Sequence, residues 1–154
     1  MNLIELKERQ DITDDIKLYG VYIQFVELLK ELEKKELTHE IIESINHDLE
    51  ELNSTSFTNN ELRKSITQNQ AKIIRLVEKE CKIVPKNYYR KLWVAQGMTV
   101  FGLPIGIAFG LGIGNIGLLA LGLPIGMLIG IAVGSGMDKK AFEEGRQLNI
   151  EIKL

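Results

Sequence analysis

Between Leu92 and Met137 the chain has no aspartate, glutamate, lysine, arginine or histidine. A segment without ionisable side chains argues against a proton pump or coupled transporter, which need intramembrane charges or broken-helix ion sites. Cysteine is almost missing too, and the single Cys81 excludes an intramolecular disulfide and fits a reducing compartment. There is no Walker-type phosphate loop, no nucleophile elbow and no paired-cysteine cluster, so no catalytic residue is assigned and an enzyme is not expected. The opening Met1-Asn-Leu-Ile-Glu-Leu-Lys-Glu8 lacks the basic stretch and apolar core of a secretory signal, which leaves insertion to the uncharged segment. His39, Glu43 and His47 share a helix face at spacings of four. Structural zinc usually takes four protein ligands, so these three read as a solvated face, and no metal or cofactor is expected.

What fills the uncharged segment is glycine at regular intervals. Gly102, Gly106, Gly110 and Gly114 form one GxxxGxxxGxxxG run, and Gly122, Gly126, Gly130 and Gly134 form a second; both begin Gly-Leu-Pro-Ile-Gly. About 20 apolar residues at ~1.5 Å each cross a hydrocarbon core of about 30 Å, and the segment holds two such lengths. The turn falls at Gly114-Asn115-Ile116-Gly117, where glycine and asparagine accept left-handed backbone, giving helical arms at 92–114 and 116–137. Folding about residue 116 sets Gly110 against Gly122, Gly106 against Gly126 and Gly102 against Gly130. In lipid, helices associate through close backbone approach, which rows of glycine allow, so all eight are assigned to helix packing as a glycine zipper. Pro104 and Pro124 each remove a backbone donor and are expected to bend or loosen the preceding turn.

The flanks set an orientation. Residues 1–85 hold 12 Lys and Arg against 17 Asp and Glu, and residues 86–154 hold 7 against 4. Lys86, Arg90 and Lys91 precede the first arm, and Lys139, Lys140 and Arg146 follow the second, so both termini are expected in the cytoplasm. Tyr88, Tyr89, Arg90, Lys91 and Trp93, in and just after an interfacial linker at 86–91, mix rings with cations as headgroup-level anchors do.

The first 85 residues read as a cytosolic helical domain. A helix over 12–36 carries Ile12, Ile16, Tyr19, Ile23, Val26 and Leu29 at intervals of three and four, with Asp14 and Asp15 near its start. A second, over 38–52, is capped by Thr38 and buries Ile41, Ile45, Leu49 and Leu52. A third starts at the capping box Thr58-Asn-Asn-Glu61 and continues to about Lys82. Lys64, Lys72, Arg75, Lys79 and Lys82 fall on one of its faces. That face can hold an anionic ligand such as a nucleotide, an oligonucleotide or lipid headgroups, or pair with the acidic second helix. In the 138–154 tail, Leu148-Asn-Ile-Glu-Ile-Lys-Leu154 alternates as a short strand does, its expected partner being a neighbouring tail or Leu3 to Leu6.

The fold class is therefore an all-α membrane protein: a helical domain of about three helices, a two-helix transmembrane hairpin and an extended tail. Through its two glycine runs the chain resembles glycine-zipper membrane proteins, including the pore-lining helices of mechanosensitive channels. Its overall plan is similar to the small two-pass effectors of bacterial antiphage systems, and that resemblance implies permeabilisation of the inner membrane. Gln96, Thr99, Leu103, Gly106 and Gly110 drift along one side of the first arm as candidate pore-lining positions. The function expected is a homo-oligomeric pore in the bacterial inner membrane, gated through the helical domain by a cytosolic regulatory protein or an anionic ligand. The alternatives are a non-conducting anchor or scaffold for a partner protein, and a phage holin.

Overall fold

The computed structural model describes residues 3–7, 12 and 15–153, and the chain divides into two compact units. One is Met1–Pro85 with Leu148–Leu154; the other is Lys86–Gln147. Every regular element among the described residues is a helix, with no strand among them.

The first unit packs three helices, α1 (Ile16–Glu33), α2 (His39–Ser54) and α3 (Asn59–Cys81). Asp15 starts α1 by accepting the amides of Lys17 and Leu18 at 2.9 and 3.1 Å, which satisfies two of the donors a helix start leaves open. Asp14, expected beside it, lies outside the described residues. The buried side of α1 is Leu18, Tyr22, Phe25, Leu28, Leu29 and Leu32. This corrects the stripe read from spacing: Ile16 is 86% exposed and Tyr19 46%, while Ile12 and Leu29 are buried. Both lines obey a helical period, and the line with Phe25 and four leucines removes more apolar surface from water.

α2 buries Ile41, Ile45, Leu49 and Leu52 as its spacing requires, although Thr38 at its start makes no side-chain cap hydrogen bond. α3 opens where the amide and hydroxyl of Thr58 donate to the Glu61 carboxylate at 3.0 and 2.8 Å. These bonds hold the Glu61 carboxyl below its ordinary pKa. α3 turns Leu62, Ile66, Ile73, Ile74 and Val77 inward and ends on Lys82 in a left-handed conformation, φ 56°.

Two extended segments complete this unit, and both are held by helix side chains. The amides of Ile4 and Lys7 donate to Asn46 Oδ1 and Asn53 Oδ1, at 2.8 and 2.9 Å. Seven helical residues rise about 10.5 Å and three extended residues span about 10 Å, so side chains two turns apart meet amides three residues apart. At the other end, the amides of Asn149 and Lys153 donate to Glu31 Oε2 and Gln24 Oε1, at 2.8 and 3.0 Å. The Leu148 amide donates to the Val84 carbonyl at 2.9 Å. Leu148, Ile150 and Ile152 are buried. The tail alternates as expected, but its amides go to Val84 and to α1 side chains of the same chain, and among the described residues it forms no strand with Leu3 to Leu6.

The second unit is a helical hairpin. Its first arm runs through α4 (Tyr88–Gly97), a π-helical turn (Met98–Gly102) and α5 (Leu103–Ile113); its second is α6 (Leu119–Glu143). Both arms, of 26 and 25 residues, are long and apolar enough to cross a membrane. The connection reverses at Gly114, φ 71°, and Asn115 Oδ1 takes the Gly117 amide at 3.0 Å. The expected linker at 86–91 is helical from Tyr88 onward. α6 outruns the uncharged segment to Glu143, and Gly145, φ 70°, follows its end.

The two prolines behave differently. The π-helical turn stands just before Leu103 and Pro104, and the Leu103 amide donates to the Met98 carbonyl. A wider turn of this kind redistributes carbonyls beside a residue that has no donor. Pro124 lies within an α6 that stays α-helical on both sides.

Candidate functional site

The two arms meet along their glycines. A Cβ on Gly122 would lie 2.6 Å from the Gly106 Cα, one on Gly126 2.7 Å from the Gly102 Cα, and one on Gly134 2.5 Å from the Arg90 Cα. Side chains do not occupy such positions, so the backbones come closer here than any other residue permits. Gly130 sits against Trp93 and Val94, and Gly97 against Gly126 and Gly130.

This register is one helical turn away from the expected one. Gly122 lies opposite Gly106 and Gly126 opposite Gly102, whereas a fold about residue 116 sets Gly110 and Gly106 there. The chain reverses about two residues earlier, because α5 already ends at Ile113. A Cβ on Gly110 would therefore lie 3.4 Å from the Leu119 side chain, and one on Gly114 would meet nothing within 4 Å; Gly114 ends the helix and takes no part in the close contact. Gly112 and Gly136 also face open space.

Gly97 takes the remaining place, and sequence spacing hid it. It lies five residues before Gly102, which breaks a four-residue pattern. The π-helical turn between them, with its hydrogen bond spanning five residues, absorbs the extra residue and returns Gly97 to the glycine line.

Apart from this line the hairpin is bare. Only 22% of each apolar window is buried, and Phe101, Ile107, Leu111, Leu121 and Leu128 are among the exposed side chains. Of the candidate pore-lining residues, Gln96, Thr99 and Leu103 are exposed, while Gly106 and Gly110 are buried against the second arm. The five do not share one face: the two glycines belong to the contact inside the hairpin.

A carboxylate closes the charged end. Asp138 is buried, with Oδ1 accepting the Tyr89 amide at 3.0 Å and Oδ2 the Arg90 amide at 2.9 Å. Asn87, the residue just before α4, makes no side-chain cap, so a residue of α6 satisfies two donors of the α4 start. Tyr88 and Tyr89 stack edge to face, ring centroids 5.3 Å apart. Tyr89 is buried; Arg90 and Lys91 are exposed, and Tyr88 and Trp93 are half-buried. Beyond the arm, the Arg146 guanidinium hydrogen-bonded to Glu144 holds that carboxyl below its ordinary pKa.

The four cations on α3 and Lys82 just past its end are exposed, and three of the five are in ion pairs. Lys72 reaches the buried Asp48 of α2 at 2.6 Å, Lys79 pairs with Glu80 at 3.2 Å and Lys82 with Glu78 at 3.8 Å. His39 and Glu43 approach to 3.1 Å, and no group of three metal-ligating side chains is gathered among the described residues.

Comparison with protein-family models, curated proteins and solved structures gives no match.

Proposed function

We propose that the chain is a two-pass protein of the bacterial inner membrane whose copies assemble into a homo-oligomeric pore gated through the helical unit. The observation that carries this reading is exposure. Two helices with long charge-free spans cover each other there mainly along glycine, leaving most of their apolar surface open. Patches of this size call for lipid or further copies.

Two helices cannot enclose water, so conduction requires several hairpins around an axis. Gln96, Thr99 and Leu103 lie on the exposed side of the first arm; facing that axis, they supply a polar mouth above an apolar throat that closes by dewetting. The cationic flanks favour a cytoplasmic position for both termini. Lys64 and Arg75, on the exposed face of α3, offer charge to an anionic ligand or an acidic regulatory protein. By its architecture alone, the plan fits a membrane-permeabilising effector of antiphage defence.

The test is expression followed by membrane-potential measurement, with purified protein in planar bilayers alongside it. Depolarisation and stepwise currents are expected. An unchanged potential with the protein abundant in the membrane overturns the pore.

One observation favours a second reading. The glycine contact closes within a single hairpin, so a hairpin needs no neighbour to satisfy it, as suits a non-conducting anchor or scaffold for a partner protein. Membrane-embedded protein that stays monomeric and passes no current supports this reading. A holin, the narrowest option, lyses cells when an endolysin is supplied.

A further inference from the structure

The outer side of α1 has no role in the core of its unit. Ile16, Gly20, Ile23 and Glu27 recur at intervals of four, three and four, which stacks them on one line of the helix. That line lies opposite the buried Leu18, Phe25 and Leu32. Ile16 is almost fully exposed, and Tyr19 stands beside it half in solvent. A Cβ on Gly20 would meet nothing within 4 Å, yet glycine in a helix interior costs about 1 kcal/mol relative to alanine. Along the same line runs an open groove of about 600 Å³, walled by Gln24, Arg63, Glu151 and Lys153.

We propose that this face is a docking surface for a second copy of the chain, the two α1 helices crossing antiparallel with Ile23 of each seated over Gly20 of the other. A crossing centred between Gly20 and Ile23 is self-complementary, as a two-fold contact requires. It brings Lys17 of one copy within about 1.5 Å of the level of Glu27 of the other, and does so twice. The groove mixes both signs, Lys17, Arg63 and Lys153 with Glu27 and Glu151. A surface of mixed sign suits another copy of itself better than a polyanion or an anionic lipid sheet, which need cations alone. The missing side chain at Gly20 then has a use as the hole that takes Ile23. This contact lies outside the hairpin and does not depend on conduction.

The experiment uses the full-length chain in nanodiscs with Cys81→Ser, so that introduced thiols are the only ones. Lys17→Cys combined with Glu27→Cys, two exposed positions that the crossing sets against each other, is expected to give disulfide dimers on mild oxidation, whereas Glu50→Cys on the exposed side of α2 gives none. Adding Ile16→Asp, at a position already in solvent, lowers the crosslinked fraction about tenfold, the equivalent of about 1.4 kcal/mol. Three results overturn the proposal: no dimer from the Lys17→Cys, Glu27→Cys pair, equal dimer from Glu50→Cys, or a yield indifferent to Ile16→Asp. A spin label at position 17 broadened by lipid-borne relaxant, and by no second label, also overturns it by assigning the face to the bilayer surface. Silent bilayers with intact crosslinking remove the pore and leave this contact standing.

Discussion

The carboxylate of Asp138 and the backbone of Tyr89 are 3.0 Å apart, joined by an amide that donates across 49 residues of sequence. The same carboxylate holds the Arg90 amide, so one side chain of the second arm serves as the start signal of the first. Asp138→Ala leaves two donors at the α4 start without their acceptor, and loss of a helix cap costs about 1 to 2 kcal/mol. We expect a lower unfolding temperature in detergent and faster proteolysis near Lys86, with Asp138→Asn intermediate because its amide oxygen still accepts one bond. An Asp138→Ala hairpin as protease-resistant as the parent would remove the cap from this account.

The glycines are not equivalent, and substitution separates them. Gly126→Leu places a side chain where the Gly102 backbone already lies, and forcing bulk into a packed contact costs about 1 to 3 kcal/mol; Gly122→Leu and Gly134→Leu act alike. Gly112→Leu and Gly136→Leu point into open space and are expected to leave the arms together. Distances between labels on the two arms, measured by electron paramagnetic resonance, distinguish the sets. Separation by Gly112→Leu to the same extent as by Gly126→Leu contradicts the seam.

Much of this was legible in the sequence, and the parts that were not fail for identifiable reasons. The uncharged segment, the two arms and the turn at Asn115 follow from composition and local backbone preference, as does the capping box at Thr58. The register of the seam does not, because a four-residue period looks the same after a shift of one turn, and only the last residue of α5 decides it. α1 has apolar residues on two sides, so periodicity could not say that Phe25 is buried and Ile16 is not. Gly97 was hidden by a five-residue interval that only a π-helical turn reconciles. Asp138 reads locally as the first charge after the membrane segment, and nothing near it in sequence points to Tyr89.

Acid should release the C-terminal tail. The Lys34 ammonium bonded to Glu31, and then the Asn149 amide, hold the Glu31 carboxyl below its ordinary value of 4.5. A carboxyl with a depressed folded pKa contributes stability that is complete above its unfolded value and disappears as pH falls through the folded one. Docking of the tail is therefore expected to be constant at neutral pH and to weaken below about 4.5. The amide proton shift of Asn149 reports it, and Glu31→Gln should flatten the titration. A tail that loosens between pH 8 and pH 6, with Glu31 still ionised, would assign the effect to another group.

The π-helical turn makes a demand of its own. Five residues separate Gly97 from Gly102, and an α-helical turn holds about 3.6, so the two glycines share a line only while the turn is wide. Deleting Val100, an exposed residue within it, lets the arm rewind as α-helix and brings Gly97 to a four-residue spacing from Gly102. The glycine line then continues unbroken, and the residues before it keep their phase relative to α6. Inserting an alanine after Val100 does the opposite: the surplus residue rotates α4 by about 100° if the π-turn persists. That turns Gly97 away from Gly130 and moves the Tyr89 and Arg90 amides away from Asp138. We therefore expect the deletion to be tolerated, with a hairpin as stable as the parent or more so, and the insertion to cost the cap and part of the seam. Thermal unfolding of the two variants in the same detergent checks the order. The reverse ranking would mean that the wide turn answers to Pro104 alone and not to the fit of Gly97 against α6.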